Sequence, residues 1–229
     1  MITTPLLLIR FRPGFESWQV AAAYLLQQSA APSSIEWIES ADGDRVTLFP
    51  ELPPTRWNED FIALARRAAC HRSSERWPLL YRVLWRLIHG QSRLLNDRLD
   101  PDVNRLLALA QEVDKETRHL VHTVQFTPMD TPHGLVQMAT FHPRHHVVEL
   151  AAPALARQWG ETRWTLLTPD RCVSWNGRQL VYTAGTGLPA PAQPATAASR
   201  PPVQRFSYHR TARTGSTSAT PRPRQMELL

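Results

Sequence analysis

Lysine is almost missing from this chain: of its 26 basic side chains only Lys115 is not arginine. That skew points to a GC-rich genome more than to a function, and it leaves the planar guanidinium fork, well suited to phosphate, as the main cation. Cysteine is nearly as scarce. Cys70 and Cys172 stand far apart in no metal-ligand spacing, which excludes a disulfide framework and a zinc knuckle and leaves reduced, partly buried thiols in a cytoplasmic protein as the expectation. No apolar run reaches the roughly 18 residues of a membrane span. The apolar start, Met1 to Phe11, lacks an early positive region and a small-residue cleavage site, so no secretory leader is expected. Glycine-rich phosphate loops, nucleophile elbows and internal repeats are absent too.

What is present divides unevenly. The formal charge is +6, but residues 185–229 hold six arginines against Glu227, leaving 20 basic and 19 acidic side chains over 1–184. Any basic patch on 1–184 must therefore come from segregation of charge, not from excess. Proline, alanine, serine, threonine and arginine dominate from Gly185 onward, and 185–229 reads as a disordered basic tail behind a single domain, 1–184.

Within that domain, 5–11 reads as a strand and 17–28 as a helix with Trp18, Ala21, Ala22, Leu25 and Leu26 on one face. Residues 34–40 alternate like a strand, turn at Asp42-Gly43-Asp44 and return over 45–49. Asn58 caps a helix to about Cys70. Ser73 or Ser74 starts another, with Pro78 in its first turn and Tyr81, Leu84, Trp85 and Ile88 as its apolar stripe. Asp100 with Pro101 is a strong helix start, an N-cap carboxylate followed by a residue with no N–H to miss. Its stripe is Val103, Leu106, Leu107, Ala110 and Val113. After Arg118 the period changes: 120–126 and 135–141 alternate like strands around a turn-rich link. A helix over about 146–158 follows, then strands near 163–167, 171–175 and 178–182, the last two joined by an Asn176-Gly177 type I′ hairpin signal. The expected fold is α+β, with helices packed on a mainly antiparallel sheet.

Three groups of residues could carry chemistry. His142, Arg144, His145 and His146 form a loop able to hold a phosphate or move a proton; no cysteine pair or His-Glu-x-x-His motif accompanies it, so no metal and no cofactor is expected. Arg82, Arg86 and His89 share the polar face opposite an apolar stripe and could follow a nucleic-acid backbone. Glu116, Arg118 and His119 cluster where the helical period gives way; Glu116 and His119, three apart, could meet in acid–base work if the helix continues. His122, beside Val124 and Phe126 on one strand face, reads as a hydrogen-bonded interior histidine.

Several ordered stretches, FESWQVAAAYLLQQSAAPSSIEW (15–37), LLYRVLWRL (79–87), DPDVNRL (100–106), HPRHHVVELAAPALARQW (142–159) and RWTLLTPDRCVSWNG (163–177), together resemble an uncharacterised bacterial DNA-metabolism domain family. The resemblance covers about residues 10–183. Members are fused to uracil-DNA glycosylase-type domains or encoded beside a putative DNA-repair radical-SAM protein. His145 and His146 match the family's paired histidines. In the stretch containing Glu116, Arg118 replaces the family's histidine, and Gln125 replaces an arginine further on. The resemblance implies an accessory protein of DNA repair that binds DNA, a glycosylase-type or a radical-SAM partner; together with it, the basic positions Arg82, Arg86, Arg118, His119 and Arg144 are the residues expected on nucleic acid. Two alternatives stand beside it. One is an enzyme acting on DNA or a damaged nucleotide, with Glu116, His145 and His146 as its catalytic groups. The other is a protein-interaction module with no direct DNA contact.

Overall fold

A computed structural model describes residues 7–40, 57–132 and 134–187. Their order is β1 (Leu7–Phe11), α1 (Phe15–Gln27), β2 (Ile35–Glu39), α2 (Glu59–Ala69), α3 (Arg76–Ile88), α4 (Pro101–Thr123), β3 (Thr127–Thr131), β4 (Gly134–Thr140), α5 (Val148–Trp159), β5 (Trp164–Leu167), β6 (Arg171–Trp175) and β7 (Leu180–Ala184). The fold is α+β. The larger sheet runs β3-β4-β5-β6-β7, antiparallel throughout except at β4-β5, the parallel pair that α5 connects. β1 and β2 form a separate parallel pair, bridged by α1. The Asp42-Gly43-Asp44 turn, the returning strand at 45–49 and the tail from 188 lie outside the described residues.

Local chemistry sets the helix starts. The Asn58 side chain accepts the Phe61 N–H, and the Asp100 carboxylate accepts those of Asp102 and Val103. Each therefore satisfies donors that the first turn leaves without partners.

Two apolar clusters make the core. In the first, α1, α2, α3 and the front half of α4 close around Trp18, Phe61, Trp77, Leu80, Tyr81 and Leu106. Phe11 meets Trp77 edge-on with ring centroids 5.1 Å apart, and the Tyr81 hydroxyl donates to the Ala30 carbonyl at 2.8 Å. In the second, α5 and the back of α4 cover the larger sheet through Val113, Leu120, Ala151, Leu155, Trp164 and Leu166. α4 thus belongs to both.

Four expectations are corrected. Residues 120–123 are not a strand: α4 runs on to Thr123, because Leu120 lies seven residues after Val113 and extends the same buried stripe. His122 accordingly is exposed, not interior, and the first strand of the sheet begins only at Thr127, inside the stretch expected to turn. On α3 the buried side rotates toward Trp77, Leu80, Tyr81 and Leu84, leaving Ile88 exposed and Trp85 stacked on His89. The β6–β7 hairpin exists, but Arg178 has a negative φ, so its turn is not type I′; Gly177 alone there has positive φ, +93°, and the Asn176 side chain accepts the Arg178 and Gln179 N–H groups.

Candidate functional site

The segment between β4 and α5 is the meeting point of the molecule. His146 N–H donates to the Cys70 carbonyl at 2.9 Å, and Arg72 Nε donates to the Arg144 carbonyl at 2.8 Å. From the other side Glu116 of α4 accepts the Arg144 N–H at 3.0 Å. Backbone groups that would otherwise face solvent are thereby fixed, and the residues of the His-Arg-His-His run are held in place.

Two histidine environments result. His145 lies against His71, ring centroids 4.1 Å apart, and its Nδ1 receives the Arg72 N–H at 3.4 Å. Burial, then the neighbouring His71 ring, pushes His145 below the usual histidine value. His71 Nε2 sits 3.2 Å from Glu112, and the ligand atoms of His71, Glu112 and His145 come within 4.8 Å of one another, close enough to surround a cation. The tautomer argues against one. Ser73 N–H donates to His71 Nδ1 at 3.0 Å, so the neutral ring carries its proton on Nε2, where it donates to Glu112 and not to a metal.

His146 faces a cavity of about 430 Å³ walled by the starts of α1, α3 and α5, the end of α2 and the β5–β6 turn. Its Nδ1 is 3.6 Å from Asp170, which is itself ion-paired to Arg72. Partial desolvation, then Arg72, lowers the His146 pKa, so the ring is neutral at pH 7. Arg76, 2% exposed, lies in the same wall and reaches Glu39 at 2.5 Å. Cys70 is also there, but burial and then Glu149 raise its pKa to about 11, so it is a thiol that donates to the Arg66 carbonyl, not a thiolate nucleophile.

The domain of unknown function DUF4130 matches residues 74–211. The chain belongs to this family. No curated protein and no solved structure matches it. The DUF4130 match takes in Arg76, Glu112, Glu116, His145, His146 and Asp170, while Cys70, His71 and Arg72 lie just before it.

The structure gathers some of the sequence candidates and not others. Glu116, Arg144 and His145 come together where α4 meets the loop, and the His119 ring lies 5.9 Å from Phe141, while Arg118 is an exposed residue of the same helix. Glu116 and His119 form no pair; Glu116 positions the loop instead. Arg118 and Arg144 are exposed, and neither guanidinium has an ion-pair or hydrogen-bond partner among the described residues. Arg82 and Arg86 lie elsewhere, their forks closed on Asp102 and on Asp100 with Asp102. A phosphate there would have to displace a carboxylate. His71, Arg72, Arg76 and Asp170 were not expected from sequence. The Cys-His-Arg run at a helix end and the Thr-Pro-Asp turn were their visible traces.

Proposed function

We propose that this DUF4130 protein is an accessory protein of bacterial DNA repair that binds DNA through the face formed by the β4–α5 loop and the back of α4. The observation that supports this is that Arg118 on the back of α4 and Arg144 on the loop are both exposed and unpartnered among the described residues, with the Arg144 backbone clamped by Glu116 and Arg72. A rigid backbone carrying a free guanidinium suits phosphate contact, because less side-chain and loop freedom is lost on binding. The resemblance to domains found with uracil-DNA glycosylase-type and radical-SAM proteins supplies the process and the partner class.

The test is fluorescence anisotropy with labelled single-stranded, duplex and uracil-containing DNA across a salt series. The Arg118→Ala/Arg144→Ala variant is expected to weaken binding on all three and to flatten the duplex log K–log salt slope by about 0.9 per lost phosphate contact. Undiminished binding by that variant overturns the assignment.

One observation favours an enzyme instead: a neutral His146 on the cavity wall, near a carboxylate able to orient it. On that reading His146, not Glu116, is the proton acceptor, and DNA- or nucleotide-directed turnover disappears in His146→Ala while DNA affinity persists.

A further inference from the structure

The two faces of the larger sheet differ in kind. Side chains alternate along a strand, and paired residues share a face. Ala139, Trp164, Leu166 and Val173 belong to the second core cluster, and Trp175, Leu180 and Tyr182 pack against it. The alternate positions point the other way. Met129 of β3, Val136 and Met138 of β4, Leu167 of β5 and Val181 of β7 belong to neither cluster. Met129 is 49% exposed and Val181 42%.

Hydroxyls, not charges, stand between these apolar side chains. One row crosses every strand of the sheet: Thr127, Met138, Thr165, Ser174 and Val181 are neighbours in register. No strand position on this face holds Asp, Glu, Lys or Arg. Asp130 and Arg171 alternate to the opposite face, and Arg163 stands one residue before β5. Several hydroxyls are already occupied within the sheet. Thr165 and Ser174 share a hydrogen bond of 2.9 Å, Thr127 donates to the Met138 carbonyl at 3.3 Å, and Thr131 donates to the Gly134 carbonyl at 2.6 Å. Covering the face therefore leaves few polar groups without partners.

We infer that this open face is the contact between two copies of the chain, laid sheet to sheet about a two-fold axis. A two-fold contact sets a surface against itself, so a charge near the axis meets its own like. A face without charge avoids that repulsion. A foreign partner is steered and selected by complementary charge, and this face offers none. Its size sets the strength. Five strands about 4.8 Å apart and about five residues long give a footprint of about 24 by 17 Å, or about 400 Å² per copy. A standard stable interface takes about 800 Å² per partner. The dimer is accordingly weak and exchanges with monomer at micromolar concentrations. The inference does not rest on the DNA-binding reading, which uses α4 and the β4–α5 loop.

The experiment is sedimentation equilibrium of the nuclease-treated full chain, from about 1 to about 300 μM, in about 0.05 M and about 0.5 M salt. Apparent mass rises with concentration toward twice the chain mass, and does so equally in both salts, because no ion pair is buried in the contact. Met138→Lys, in the row that crosses the sheet, and Val181→Lys, at an exposed position on the edge strand, each weaken association at least about tenfold by setting like charges together. Thermal circular dichroism checks that both variants fold. Leu135→Lys, on the opposite face of β4 and 57% exposed in the wild type, leaves association unchanged. A monomer at every concentration, association that fades with salt, or Leu135→Lys as damaging as Val181→Lys each overturns the inference. A monomer that carries a second protein through purification on this face overturns it too.

Discussion

Removing Arg86 tests whether the arginine face of α3 serves DNA or the fold. Its Nη1 donates to Asp100 at 3.1 Å and to Asp102 at 3.0 Å, its Nη2 donates to Asp100, and its Nε donates to Gln91 at 2.8 Å. The side chain is 27% exposed, and its main partner, Asp100, only 9%. Arg86→Ala therefore leaves a largely buried carboxylate without its cation, although that carboxylate keeps its two N-cap hydrogen bonds. The cost is about 2 kcal/mol, below the full penalty for a wholly buried pair. Arg82, 47% exposed, makes its bonds to Asp102 alone, and Arg82→Ala costs about 0.5 kcal/mol. At about 2–4 °C per kcal/mol for a domain of this size, the two variants lower Tm by about 4–8 °C and about 1–2 °C, read by thermal circular dichroism. The pH dependence supplies a check. The Arg86 hydrogen bond, above all, holds Asp100 below the usual carboxylate range. That stabilisation is complete above the unfolded value of about 3.9 and is lost as pH falls through the lower folded value. The gap between Arg86→Ala and wild type should therefore narrow in acid. Equal Tm losses for the two variants, or an unchanged Tm for Arg86→Ala with weakened DNA binding, would refute the reasoning and return Arg86 to the phosphate backbone.

Other outcomes follow from the same geometry. His145 and His146 both have lowered folded pKa values; the unfolded chain therefore binds more protons below about pH 6.5, and stability falls as pH drops through that value toward the folded ones. His145→Gln/His146→Gln should flatten the Tm–pH curve between pH 5 and 7, and an unaltered slope would sink the assignment. Glu116→Ala frees the Arg144 N–H and should cost about 1–2 kcal/mol, with faster amide exchange confined to the β4–α5 loop; unchanged exchange at Arg144 would contradict the clamp. Leu106→Ala, at a fully buried position shared by α3 and α4, should cost about 2–5 kcal/mol by urea denaturation, and a loss under 1 kcal/mol would count against this packing.

Elements with their own punctuation were legible in the sequence. The Asn58 and Asp100 caps, the Asn176-Gly177 link and the apolar periodicity of α1, α2 and α5 need only near neighbours to be read. The end of α4 was not legible, because LVHT alternates as well as any strand and only Leu120 reaching the second core decides for helix. The parallel β1–β2 pair escaped for a related reason: partner choice in a sheet is a long-range property. The site divides similarly. The histidine run announces itself, whereas Arg72 and Arg76 from the α2–α3 segment and Asp170 from the β5–β6 turn become neighbours of His146 only by folding. Arg82 and Arg86 show the converse. Their spacing displays a basic stripe but does not reveal that two aspartates lie beneath it.

α4 is packed into both cores, with Ala110 the last contact of the first cluster and Val113 the first of the second. The helix is thus a shaft whose two ends are keyed to different parts of the molecule. One residue inserted at Gln111 would turn the far end by about 100° and advance it by about 1.5 Å, carrying Glu112 away from His71 and Glu116 away from Arg144. No local adjustment could restore both keys at once. Single-residue insertions and deletions should therefore be tolerated in the surface turns and excluded from the four positions 110–113, which makes the length of this segment, more than its composition, the property the fold cannot vary.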